Sequence, residues 1–212
     1  DNQRYAYGTT YTMGDLRGSA TFMNFRLNNE PIRYMRKFSK SSIIIYRVGL
    51  LYLRLAEAAN RAGYPEYALT VLKYGLTNAT ITTNVSSKEL EDNKPYMQFP
   101  VNYFGESNTI GIHARGCGDV SGSREYTIRQ QENKSDSIRF VEDLIVDELA
   151  LELAFEGHRF HDLMRMAKHR GDNEYLATMV AQRKGGFDQA LFDKLLDEKA
   201  WYLPLPENDN SI

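Results

Sequence analysis

The chain has 212 residues, 42% of them hydrophobic and 25% charged, which is enough to bury a substantial core in one or two domains. A formal net charge of −2 and a pI near 6.1 come with no basic stripe, and this argues against a nucleic-acid binder. No apolar run reaches the roughly 18 residues that a membrane-spanning helix needs, and the single cysteine, Cys117, has neither a disulfide partner nor the spacing of a zinc site.

Residues 1–42 lack helical periodicity. TFMNFRL and IRYMRKF are β-prone runs separated by Asn28-Asn29-Glu30-Pro31, a pattern that predicts a small β-hairpin preceded by loops. Tyr5, Tyr7 and Tyr11 lie in the loop before it, where they either pack beneath the hairpin or stack on a ligand.

Residues 43–77 predict a first helix pair. Tyr52, Leu55 and small Ala56, then Gly63 at the turn, small Ala68, Leu72 and Leu76 follow the tetratricopeptide pattern. The two alanines let the helices approach closely, and Gly63 followed by Pro65 marks a helix end and the next beginning.

Residues 78–136, rich in Asn, Ser, Thr and Gly, read as a long irregular excursion. A connection of that length inside a compact domain is functional or disordered. Here KPYMQFPVNYFGE sets aromatic residues between stiffening prolines, which predicts an ordered excursion. Tyr96, Tyr103 and Phe104 are the candidate ligand contacts, with Arg115 as a polar partner.

Residues 137–170 lie within the longest proline-free stretch and are dense in good helix formers, which predicts a second helix pair with Asp136 or Ser137 as its N-cap. Ile138, Val141, Ile145 and Leu149 share one face, which Leu144, Leu151 and Phe155 widen. Placing Gly63 on Gly157 superposes Leu55-Ala56 on Leu149-Ala150 and Leu72 on Met166, an internal repeat in which Asp162 stands where Ala68 does. Gly157 is expected at a tight interhelical turn where a β-carbon would clash or force an unfavourable backbone, so its replacement should cost more than that of Gly171. Residues 171–212 predict helices near 174–182 and 188–199, then an extended tail with Pro204 and Pro206 anchored by Trp201. The fold class is therefore mainly α: tetratricopeptide-like helix hairpins in an α-α superhelix, with an irregular excursion and a small β-hairpin.

Chemistry is sparse. Glu156, Arg159 and Asp162, at spacings of three, read as a buried charge network joining two helices. A guanidinium between two carboxylates favours their charged forms, the reverse of what a general acid requires. His158, His161 and Asp162 have helical metal-ligand spacing, but Arg159 and Arg165 crowd them and no fourth ligand is evident. No phosphate-binding loop follows Gly116. The residues imply no catalytic site, metal or cofactor.

Four stretches carry a resemblance to a known family. RKFSKSSIIIYRVGLLYLRLAEAANRAG, GIHARGCGD, DELALELAFEGHRFHDLMR and WYLPLPENDN, in that order, resemble the SusD/RagB family of nutrient-capturing outer-membrane lipoproteins. The resemblance covers most of the chain from Arg36 onward and corresponds to the C-terminal part of a single SusD-like domain. It implies a non-enzymatic protein that holds an oligosaccharide at the cell-surface side of the outer membrane and delivers it to a SusC-like TonB-dependent transporter. It also implies attachment through a lipid anchor absent from this chain. In that family the stretch around Glu156, Gly157, Arg159 and Asp162 is a structural hallmark. The alternative is a peptide-binding RagB-like or tetratricopeptide scaffold protein.

Overall fold

The computed structural model describes residues 17, 21–37, 46–92, 95–98, 111–112 and 133–203. They form a mainly helical protein with one two-stranded antiparallel sheet, and the chain divides into two compact units at Leu153 and Ala154.

In the first unit, β1 (Phe22–Leu27) and β2 (Glu30–Met35) pair in register from Phe22 opposite Met35 to Leu27 opposite Glu30. Asn28 and Asn29 between them have φ of 50° and 70°. Two left-handed residues in a two-residue loop make a type I′ turn, whose twist matches that of the strands and which asparagine tolerates well.

The first helix pair stands where the tetratricopeptide spacing places it. α1 (Val48–Arg61) and α2 (Pro65–Lys73) pack against each other, with Leu53, Ala56, Tyr67, Ala68 and Leu72 wholly buried. Gly63 lies at φ 91°, and the Gly63 and Tyr64 N–H groups donate to Asn60 and Ala59 carbonyls, both at 3.0 Å. These bonds satisfy acceptors left at the helix end.

Part of the stretch expected to be irregular is helical: α3 (Asn78–Asn84), α4 (Ser87–Leu90) and a 3₁₀ turn at Pro95–Met97. A capping box starts α3, with the Thr77 hydroxyl accepting from Thr80 N at 3.0 Å and Thr80 Oγ1 accepting from Thr77 N at 2.9 Å. Glu89 on α4 accepts from Glu66 N at 3.1 Å and Tyr67 N at 3.0 Å, while the Glu66 side chain accepts from Ser86 N at 2.6 Å. Each of these two helix starts is thus capped by a carboxylate from the other. These bonds between polar residues gave no apolar period to read in the sequence. Burial pushes the Glu89 carboxyl above its ordinary value, against the lowering effect of the two N–H donors.

Met97 and Ile112 are buried. A β-carbon on Gly111 would come within 2.4 Å of the Leu72 oxygen and Lys73 carbonyl carbon, so the chain passes Gly111 hard against the end of α2.

α5 (Lys134–Glu152) begins earlier than expected, because Asn133 caps it by accepting from Asp136 N at 2.9 Å and donating to the Asp136 carboxylate at 2.8 Å. Val141, Ile145 and Leu149 are buried as expected, but Leu151 and Phe155 are exposed. The face is completed by Glu142, Val146 and Glu148 instead, since α5 packs along both α1 and α2. Cations make that possible at its C-terminal end. Arg17 bridges Glu148 at 2.5 Å and Glu152 at 3.1 Å, Arg47 pairs with Glu152, and Lys37 donates to the Glu152 carbonyl at 3.1 Å. Positive charge there also complements the helix dipole.

In the second unit, α6 (Arg159–Arg170) packs on α7 (Asn173–Ala181), and α7 on α8 (Gln189–Leu195). Asp172 and Asp188 cap α7 and α8. Trp201, in a closing 3₁₀ turn, is buried and donates from Nε1 to the Leu195 carbonyl at 2.7 Å. Pro204 and Pro206 lie outside the described residues.

The internal repeat holds for its second helix only. Ala68, Leu69 and Leu72 match Asp162, Leu163 and Met166, all buried. In the first helix, half-buried Leu55 falls on buried Leu149, and buried Ala56 on half-buried Ala150. Of the two costs expected at Gly157 the clash is absent, and with it the contrast with Gly171: a β-carbon meets nothing within 4 Å at either position. Both have positive φ, 80° and 63°, so the constraint at each is the left-handed backbone and not a clash.

Candidate functional site

The feature of the described surface that packing does not explain is the β-hairpin. Its root is held, with Arg36 N–H donating to Thr21 O at 2.7 Å and Thr21 buried, while every residue from Met23 to Glu30 is exposed. Alternation along the paired strands gives it two faces. On one, Met23, Phe25, Leu27 and Tyr34 are 46%, 40%, 55% and 46% exposed, beside Ile32. A contiguous apolar face of this size open to solvent marks an interaction surface. The other face carries Phe22, Asn24, Arg26, Pro31, Arg33 and Met35, with the Arg33 guanidinium 4.0 Å from the Phe22 ring centroid. Arg26 reaches Asn29 Oδ1 at 3.4 Å, a long contact that leaves it largely available.

An isolated two-stranded hairpin is marginally stable in water. The type I′ turn and the Arg33–Phe22 stack offset part of that deficit. Chemically, Phe25 and Tyr34 provide rings for the C–H faces of a ligand, and the opposite face provides guanidinium and amide donors.

Sequence reasoning placed ligand contacts elsewhere. Tyr96 falls in the 3₁₀ turn at Pro95–Met97, but its side chain lies outside the described residues, as do Tyr103, Phe104, Arg115, Tyr5, Tyr7, Tyr11 and Cys117. The residue pattern predicted the hairpin but no site on it, because alternation of Met23, Phe25 and Leu27 shows that they share a face and not whether that face is covered. The available signal was the length of the run, since two strands alone cannot enclose such a face.

Of the structural candidates, Gly63 and Gly157 both take left-handed turns. Asp162 is 1% exposed and pairs with Arg165 at 2.9 Å, a cation outside the three residues singled out in the sequence. Glu156 and Arg159 are half-buried. Among the described residues, no group of three or more His, Cys, Asp or Glu side chains is placed to hold a metal ion.

Comparison with known proteins gives a family. The model described as SusD family matches residues 2–211, nearly the whole chain and more than the stretch from Arg36 onward. The chain belongs to the SusD family. No curated protein and no solved structure matches it. SusD-family members are non-enzymatic proteins that bind nutrients, glycans among them, at the outer membrane. No helix among the described residues is long and apolar enough to cross a membrane.

Proposed function

We propose that this SusD-family chain captures an oligosaccharide at the cell-surface side of the outer membrane, without chemical conversion, and passes it to a TonB-dependent transporter. The observation that carries the reading, within such a family, is the exposed hairpin with Phe25 and Tyr34 on one face. Sugar rings present C–H groups that stack on aromatic faces, and their hydroxyls take amide and guanidinium donors. Tyr96, Tyr103, Phe104 and Arg115 are proposed as additional contacts on the strength of their sequence. Attachment through a lipid anchor belongs to the same reading and rests on the family.

A second reading has its own support. Among the described residues each strand pairs only with the other, and a two-stranded sheet is a template to which an extended peptide could add by backbone hydrogen bonding. A glycan array and a peptide library probed with the intact protein separate the two. Glycan binding weakened by about 1–2 kcal/mol in Tyr34→Ala or Phe25→Ala, with an unchanged melting temperature, supports the first reading. Binding to peptides alone would replace it.

A further inference from the structure

Resting on the oligosaccharide reading, we infer that the second face of the hairpin is a site for an acidic saccharide, a uronate whose carboxylate docks on Arg33.

The strand pairing alone places this chemistry together. Arg33 lies directly opposite Asn24, and Phe22 and Arg26 are the next residues on the same face to either side. The Arg33 guanidinium lies over the Phe22 ring with its carbon 4.0 Å from the centroid, an attraction that restrains an otherwise mobile side chain. A guanidinium has five N–H donors, and two of them match a carboxylate with parallel hydrogen bonds. Asn24 offers one donor pair and one acceptor beside the same point, suited to a neighbouring hydroxyl. Arg26, two residues along β1 from Asn24, places a second cation about 7 Å away by strand geometry. Pro31, opposite Arg26, adds an apolar patch against which a sugar ring can rest.

Charge is distributed in the same sense. The only acidic residue in either strand, Glu30, is opposite Leu27 on the apolar face, so the strands contribute two guanidiniums and no carboxylate to the other. Arg36 and Lys37 follow immediately after β2; Lys37 is committed to the Glu152 carbonyl, and Arg36 is exposed. A neutral sugar offers these guanidiniums only hydroxyl acceptors, with no charge to pair. An anionic sugar gains a charge-assisted pair at each.

The test uses the intact protein and two acidic probes, oligogalacturonate and oligomannuronate, each beside its methyl ester, which keeps the sugar and removes the charge. At about 50 mM salt at least one acid should bind about tenfold more tightly than its ester. Arg33→Gln should weaken binding of the acid far more than that of the ester and so abolish the difference between them. Arg33→Lys should recover only part of the difference, because an ammonium keeps the charge and loses the fork. Raising salt to about 500 mM should narrow the gap between acid and ester. Since Arg33 is exposed, melting temperatures should stay level across the variants, and Asn24→Ala provides a second probe of the same face. Equal binding of acid and ester for both sugars, or an Arg33→Gln variant as selective as the parent, overturns the inference. Neutral glycans bound on the array would then leave the broader reading standing. An array on which no glycan binds removes both.

Discussion

The first unit contains two hairpins built from similarly apolar sequence, and they end in opposite environments. In the α1–α2 pair, Leu53, Ala56, Tyr67, Ala68 and Leu72 are wholly buried, since each helix closes one side of the other and α5 lies across both. In the β-hairpin, Met23, Phe25, Leu27 and Tyr34 remain about half exposed. An apolar period states that a face can be buried; whether it is buried depends on what lies opposite. The helical pair spends its apolar residues on stability, and the β-hairpin keeps its own available for contact.

The contrast can be broken most sharply at the anchor that secures α5 to the helical body. Glu148 is wholly buried and bridged by Arg17. Arg17→Met should lower unfolding stability by about 3–5 kcal/mol, because it leaves a buried carboxylate without that cation. Urea unfolding at neutral pH measures this, and an unchanged midpoint would show that other partners carry the charge. Next comes a matched pair of truncations. Leu53→Ala should cost about 2–5 kcal/mol through lost burial and a residual cavity, whereas Tyr34→Ala should fall within about 0.5 kcal/mol of the parent. Similar losses in thermal unfolding would mean that the β-hairpin face is covered in solution.

Smaller effects are expected at the turns. Gly157→Val and Gly171→Val should each cost about 1–2 kcal/mol for a left-handed β-branched residue, and the two should agree, because a β-carbon meets no neighbour at either position. A much larger loss at Gly157 would restore the crowded turn that the sequence suggested.

The smallest effect is one of pH. Burial raises the Glu89 carboxyl above its reference value of 4.5, so the folded chain holds this proton more tightly than the unfolded chain does. The contribution of Glu89 is therefore most favourable below pH 4.5 and declines as the pH rises through the interval up to the raised value. Glu89→Gln should remove that decline while its amide oxygen still accepts one helix N–H. Unfolding free energies of parent and variant across this interval should diverge in favour of the variant as pH rises; divergence in the other direction would show that the two N–H donors outweigh burial.

Much of the fold was legible in the chain. Tetratricopeptide spacing located α1, Gly63 and α2 because a close helix pair demands small residues at set positions and a left-handed residue at its turn. Asn28-Asn29 marked the β-hairpin turn for the same local reason. Helix starts were less legible where the cap came from afar: the Glu89 carboxylate accepts from Glu66 and Tyr67 N–H groups more than twenty residues away in sequence, and no local pattern announces that. Of the candidate site, the strands and their alternation could be read, but not that their apolar face stays exposed, which depends on what lies opposite it.

Local stereochemistry and periodicity belong to neighbouring residues, so helix type, turn position and strand alternation follow from the order of amino acids. Burial belongs to pairs of surfaces brought together from distant parts of the chain. The fold therefore had to determine that acidic Glu148 goes inside beneath Arg17, that Leu151 and Phe155 stay out, and that an apolar β-strand face stands open to solvent. Each outcome rests on which partner occupies the space opposite, a three-dimensional fact with no counterpart in residue spacing.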